Sequence, residues 1–267
     1  MRALVTGCQG FLGPFAVAAL QRRGFAVVTT ARRGGDAAVD LVGRGMVDAV
    51  LEAFAPDLVL HLAAQSRLDA CERDPAAARL VNVVLPAELA GRLGSRLLAV
   101  STDLVFDGRG APYGERAPVA PLSVYGATKA EGEERVLAAG GRVARLPLLF
   151  GPDAHGRGAS ASLRRALLGG QTVPLYTNEY RTPLHAADAA AGLAELLPLC
   201  SGPAVVHLPG PERLSRWQFG QRFCAVHGLD ASRLVPVECQ DPLRPRDVAL
   251  VGSWRAERSF AAMLAEA

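Results

Sequence analysis

Through residue 152, short apolar runs alternate with stretches whose apolar residues recur at helical spacing. Arg2 to Thr6 is a β-branched and aliphatic run that stops at Gly7. From Phe11 to Arg23 the positions Phe11, Leu12, Phe15, Ala16, Ala19 and Leu20 then mark one face of a helix. Pro14 suits that helix's first turn, where a missing N–H costs nothing, and Gly24 suits the left-handed position that ends it. Phe25 to Thr30 completes a strand, helix, strand unit. Met46 to Phe54 reads as a helix stopped by Pro56, and Asp57 to Ala64 as a buried strand. The next helix is capped by Asp74, has Pro75 at its first position, and carries a stripe of Leu80, Val81, Val84, Leu85, Leu89 and Leu93. Arg96 to Ser101 is a strand, Gly108 to Ser123 a loop broken by Pro112, Pro118 and Pro121, Tyr125 to Ala139 a helix and Arg142 to Leu149 a sixth strand. Such regular alternation predicts an α/β protein with a doubly wound parallel sheet.

After Gly151 the elements shorten. Helical patterns cover 160–168, 186–199, 214–227 and 254–264, and extended ones cover 172–176 and 204–208. No linker separates the halves. The expectation is therefore a nucleotide-binding domain over 1–152 and a small substrate-binding lobe over 153–267, with segments of the lobe returning to the first sheet.

The chemistry gathers at strand ends. Gly7, Gly10 and Gly13 lie between the first strand and its helix, where a tight turn, a bare backbone and a helix N-terminus together suit a pyrophosphate, the fingerprint of a Rossmann dinucleotide site. Gln9, Phe11 and Leu12 share that turn. An NAD site carries an acid at the end of the second strand, about 20 residues on, but this chain reads Thr29-Thr30-Ala31-Arg32-Arg33. Two guanidinium groups there suit a 2′-phosphate, so NADP is the expected cofactor, with NAD left open. Asp40 and Leu41 are candidates for the adenine's edge and face. Leu62, Ala63 and Ala64 end the strand in small residues that let a cofactor lie close, with Gln65 following as a candidate on the substrate side. Asn82, set among apolar neighbours, is expected to brace backbone near the site.

Ser101 and Thr102 end another strand, and Tyr125 and Lys129 stand four apart on one helix face. An ammonium beside a phenol favours its ionised form, so Tyr125 is a candidate general acid or base, with Thr102 to hold a substrate oxygen.

Composition narrows the partners. Over 267 residues the formal charge is +3, with Lys and Arg scattered, which argues against nucleic acid or a membrane surface and for small molecules. Cys8, Cys71, Cys200, Cys224 and Cys239 show no C-x-x-C spacing, and one would remain unpaired in any disulfide scheme. With no leader-like N-terminus and no membrane-length apolar run, a cytoplasmic protein is expected, and a homodimer is left open.

The strings Thr6-Gly7-Cys8-Gln9-Gly10-Phe11-Leu12-Gly13, His61-Leu62-Ala63-Ala64, Ser101-Thr102-Asp103-Leu104-Val105-Phe106-Asp107-Gly108 and Tyr125-Gly126-Ala127-Thr128-Lys129 occur in the order of the extended short-chain dehydrogenase/reductases. The third string resembles the dTDP-4-dehydrorhamnose reductase branch in particular. The resemblance implies NADPH-dependent reduction of a nucleotide-linked 4-keto sugar. Thr102 would position the ketone, Tyr125 would protonate it, and Lys129 would hold the nicotinamide ribose and lower the phenol's pKa. Tyr180-Arg181-Thr182-Pro183 and Arg244-Pro245-Arg246-Asp247 resemble later family segments, which makes Arg181 and Arg244 candidates for the substrate's diphosphate. No metal site is expected. Two other readings stay open: a regulatory subunit similar to the methionine adenosyltransferase beta subunit, which resembles the same branch, and a sugar-nucleotide epimerase. A dehydratase would want a second acid beside Asp103.

Overall fold

The computed structural model describes residues 1–267. Strands β1 (Arg2–Thr6), β2 (Ala26–Ala31), β3 (Ala37–Ala38), β4 (Leu58–His61), β5 (Leu97–Thr102) and β6 (Arg142–Leu146) join Val205–His207 in one sheet. Every pairing is parallel, in the order β3, β2, β1, β4, β5, β6 and then Val205–His207. Strand order reverses between β1 and β4, so a crevice opens at their carboxyl ends, where ligands bind in such sheets.

Ten helices cover the sheet: α1 (Gly13–Arg22), α2 (Met46–Phe54), α3 (Leu68–Arg73), α4 (Pro75–Arg79), α5 (Leu85–Leu93), α6 (Val124–Ala138), α7 (Ala159–Leu168), α8 (Ala186–Leu196), α9 (Arg216–His227) and α10 (Phe260–Ala265). The period-2 alternation of strand side chains divides the core. Ala3, Val5, Leu58, Leu60, Leu98, Ala144 and Leu146 face one layer with Leu20, Leu193, Phe219 and Phe260. Leu4, Val59, Leu97, Ala99 and Val143 face the other, against Val47, Val50, Leu85, Leu89 and Val136. Because the first layer draws on both halves of the chain, the later segments pack onto the sheet rather than forming a core of their own. The 204–208 run supplies the seventh strand. Beyond it the later half adds only short pairs: Val173–Tyr176 with Leu234–Val237, Tyr180–Arg181 with Leu214–Ser215, and Leu184–His185 with Leu149–Phe150.

Three expectations are corrected. The strand expected over 57–64 ends at His61, and Leu62 to Ala64 leave the sheet to wall the crevice. The stripe from Leu80 to Leu93 is not one continuous helix face. A π-helical turn, Leu80–Val84, lies between α4 and α5, exposing Leu80 and Val84 while burying Asn82 and Val83. The wider turn shifts the side-chain register, and such insertions recur at functional sites. The terminal helix starts only at Phe260, where Ser259 accepts from the Ala262 N–H. Trp254 instead lies against α8, where a Cβ on Gly192 would come within 2.9 Å of its ring and its indole N–H donates to Glu195 at 3.2 Å. No helix is long and apolar enough to cross a membrane.

Candidate active site

A cavity of about 880 Å³ fills the crevice. Its floor is the turn between β1 and α1, and sterics explain the glycines there. Gly7 has φ +70°, and a Cβ on it would sit 2.6 Å from the Ala63 nitrogen; one on Gly13 would sit 2.0 Å from the Cys8 carbonyl oxygen. Neither position has room for a side chain, so the glycines bring the turn against the segment that follows β4 and the helix start against the turn's own backbone at Cys8.

Of the residues expected on the cofactor, Gly7, Gln9, Gly10, Phe11, Leu12, Gly13, Arg32, Arg33, Asp40, Leu41, Leu62, Ala63, Ala64, Ser101, Tyr125 and Lys129 all line this cavity, together with Thr102 and Gln65. Two buried hydroxyls on its wall, Thr30 Oγ1 and Ser101 Oγ, have no protein partner. Such groups await a ligand or water, and a dinucleotide, rich in hydroxyl and phosphate oxygens, fits a cavity with this lining. Sequence reasoning overlooked Thr30, Ser66, Val100 and Pro147, which also line it. Thr30 lies in the strand-end string already read for its arginines and was legible there.

Arg32 and Arg33 are exposed at the end of β2. The acid closest in sequence, Asp36, is turned away from the cavity: its carboxylate accepts from both the Thr29 N–H and the Thr29 hydroxyl at 2.8 Å.

Asn82 does not line the cavity but stands behind it. Its Oδ1 accepts from the Gln65 N–H at 2.9 Å, and its Nδ2 donates to the Gln65 carbonyl and to Thr128 Oγ1, each at 3.0 Å. It thus ties the wall after β4 to α6. A Cβ on Gly132 of α6 would lie 2.1 Å from the Asn82 carbonyl oxygen, so helix and π turn meet backbone to backbone.

On the opposite wall, α6 begins at a Ser123 cap whose hydroxyl accepts from the Gly126 N–H at 3.1 Å, and it presents Tyr125 and Lys129 one turn apart. The Lys129 ammonium donates to the Val100 carbonyl at 2.7 Å, spanning from helix to β5. Burial brings it down to about 8, while the carboxylate of Glu133 pulls it back up. Glu133 is itself fixed by the buried Arg145 at 2.6 Å. Beneath the site, His61 donates or accepts at Thr6 Oγ1 over 2.8 Å, and its burial, with the nearby Lys129 charge, holds it neutral, down to about 3.

The phenol corrects one expectation. Tyr125 is pushed well above the ordinary tyrosine value: burial is the main cause and the Asp103 and Cys71 charges add to it, while a hydrogen bond with Thr102 opposes them. Lys129 is not among the groups that act on the phenol; its ammonium is held at the Val100 carbonyl. Tyr125 therefore keeps its proton at neutral pH.

Arg181 and Arg244 are outside the cavity lining. Arg181 is buried, with Nε 3.4 Å from Asp103 Oδ2 and Nη2 3.5 Å from Glu179 Oε1; Arg244 reaches Glu179 Oε2 at 3.4 Å. Sequence reasoning gave Glu179 no role, although it stands two residues before Arg181.

A family model described as RmlD substrate binding domain matches residues 1–253. The chain belongs to that family. As a member, it is similar along most of its length to the probable low-salt glycan biosynthesis reductase Agl14 of Haloferax volcanii, at 32% identity over 92% of this chain and 86% of that protein. It is also similar to methionine adenosyltransferase 2 subunit beta of Xenopus laevis, at 30% identity over 88% of this chain and 75% of the relative. In fold it resembles dTDP-4-dehydrorhamnose reductase from Bacillus anthracis, solved in complex with NADP, with a TM-score of 0.89 and 20% identity over 99% of this chain and 97% of that one.

Proposed function

We propose that this RmlD family member is an NADPH-dependent reductase of a nucleotide-linked 4-keto sugar. The observation that carries the reading is the convergence of Thr102, Tyr125 and Lys129 on one wall of the cavity whose floor is the glycine turn. When bound, the reduced nicotinamide supplies a hydride to the ketone carbon. The residues supply the rest. Tyr125, still protonated, delivers its O–H proton to the ketone oxygen as the C–H bond forms, so that ketone, hydride and proton become a secondary alcohol and the phenolate is reprotonated from solvent. Thr102, beside that phenol, holds the oxygen in line. Lys129 offers its remaining N–H bonds to the nicotinamide ribose and stabilises the transient phenolate, a charge present only after proton transfer. Arg32 and Arg33, with Asp36 turned away, favour a 2′-phosphate, while Asp40 and Leu41 suit the adenine. The segments after residue 152 are assigned the sugar nucleotide.

The name of the Haloferax relative supports a reductase, and that of the Xenopus relative, a subunit of methionine adenosyltransferase 2, is the ground for keeping the subunit reading. The complete hydroxyl, phenol and ammonium set favours the first. The test is a panel of nucleotide-linked keto sugars with NADPH, followed at the nicotinamide absorbance. Oxidation with a 4-keto sugar is expected; NADPH binding with no oxidation on any member would favour the regulatory reading.

A further inference from the structure

We propose that Arg157, fixed by Asp153, is a positioning residue of the cofactor turn: it pins the Gln9 carbonyl and so keeps the turn's free N–H groups set for a pyrophosphate. This rests on the dinucleotide reading of the cavity for its binding consequences and on geometry alone for its structure.

Hydrogen bonds within the first half account for most of the glycine turn. The Gly7 N–H donates to the Thr30 carbonyl at 2.8 Å, the Gly10 N–H to the Gly7 carbonyl at 2.9 Å and the Gly13 N–H to the Gly10 carbonyl at 3.1 Å. The Phe11 and Leu12 N–H groups, on two residues of the cavity lining, make no hydrogen bond within the protein and are free for an anion. No backbone donor reaches the Gln9 carbonyl either. Gly10 follows it, and a glycine accepts φ of either sign. Rotation of the Gln9–Gly10 peptide is therefore sterically open, and it would break the Gly10 bond and re-aim a carbonyl oxygen in a turn suited to an anion. Arg157 opposes that rotation: its Nη1 donates to the Gln9 carbonyl, 148 residues away in the chain.

The guanidinium is held in place for this contact. Nη2 donates to Asp153 Oδ1 at 2.6 Å and Nε to Oδ2 at 3.1 Å, a two-point pairing that fixes the plane of the fork. Asp153 Oδ2 also accepts from the backbone N–H groups of His155 at 3.0 Å and Arg157 at 2.8 Å, which folds 153–157 into a tight loop. These bonds, the guanidinium's foremost, hold the carboxyl down at about 2, so the pair stays charged across the working pH range. On the far side, Ser160 Oγ accepts from the Gly151 N–H and donates to the Gly151 carbonyl, each at 2.9 Å, and Arg165 donates to the His155 carbonyl. At Gly158, φ is +78° and a Cβ would sit 2.7 Å from the Phe11 ring, so the segment 151–158 lies directly on the turn.

Arg157 is not on the cavity lining, and Asp153 balances its charge, so it acts on the turn rather than on the phosphate. That separates it from Arg32 and Arg33. A 2′-phosphate contact concerns NADPH alone, whereas the turn serves the pyrophosphate that NADPH and NADH share.

Two arms test this. In the first, amide hydrogen exchange is followed by NMR in the protein without nucleotide. Arg157→Ala should speed exchange at Gly10 and Gly13 by about tenfold or more, with Arg157→Lys between it and wild type, while Val59 and Leu60 in β4 keep their rates. Unmoved rates at Gly10 and Gly13, or an equal rise at Val59 and Leu60 from general loosening, overturn the proposal. In the second, both nucleotides are titrated. Arg157→Ala should raise the NADPH and NADH dissociation constants alike, by roughly five- to thirtyfold, leaving their ratio within about twofold of wild type. A loss confined to NADPH, or an unchanged Kd for both, overturns it. If wild type binds neither nucleotide, the dinucleotide reading fails by itself, and the exchange arm still decides the positioning.

Discussion

Tyr125 holds its proton because burial opposes the phenolate, so its removal should affect proton delivery and little else. Tyr125→Phe is expected to lower turnover by about 10²–10⁴-fold, with NADPH affinity nearly unchanged by fluorescence titration; full turnover in that variant would end the assignment. In the proposed reading Arg32 and Arg33 act on the cofactor alone. A charge-assisted contact contributes about 1.5–3 kcal/mol, so NADPH should bind over NADH by roughly ten to a hundredfold, a ratio that narrows with salt and collapses in Arg32→Ser/Arg33→Ser mainly through weaker NADPH. Equal affinities in wild type would return both arginines to ordinary solvated residues. At this scale the sequence was most legible where backbone constraint acts, as at Gly7 and Gly13, and in the placement of Tyr125 and Lys129 on the cavity, though not in the protonation of the phenol. It was least legible for Arg181. A string shows that an arginine is present, but its burial and its pairing with Asp103 depend on strands far apart in the chain.

Among the elements, helix existence was readable from apolar spacing, and α2 has the bounds its pattern predicts, Met46–Phe54. The π turn was not, since its inserted register leaves apolar residues at Leu80 and Val84 that read as part of a continuous stripe. It has a consequence for α6. Replacing a helical glycine by alanine ordinarily favours the helix by about 1 kcal/mol. At Gly132 the new methyl would meet the Asn82 carbonyl oxygen, a backbone atom that a side-chain rotation cannot clear. Gly132→Ala should therefore destabilise by about 1–3 kcal/mol in urea unfolding and, by shifting α6, should also lower turnover. Gly91, with nothing near its Cβ position, is the control, and Gly91→Ala should be neutral or stabilising. The same response at both glycines would show that the backbone contact is not felt.

Across the whole molecule, the alternation of strand and helix was enough for a doubly wound sheet, which Val205–His207 joins at one edge. The pairing of short strands in the later half was not legible, because two-residue strands carry no period. Folding also buries charge that the unfolded chain keeps solvated. Lys129 has an ordinary value of 10.5 and is brought down to about 8 in the fold, so between those values the unfolded state binds more protons and stability rises with pH. From pH 7 to 9 this group should contribute about 1.4 kcal/mol to the empty protein. That gain is measurable as the difference between wild type and Lys129→Met in denaturant unfolding at the two pH values, and a constant difference would mean the ammonium is not desolvated.

The central claim, that this cavity carries hydride to a sugar ketone, is tested most directly by tracing the hydrogen. NADPH deuterated at nicotinamide C4 is incubated with the protein and nucleotide-linked 4-keto sugars, and the sugar is analysed by mass spectrometry and NMR. The account predicts deuterium on the former carbonyl carbon, with transfer suppressed in Tyr125→Phe; saturable NADPH binding with no deuterium in any sugar would contradict it.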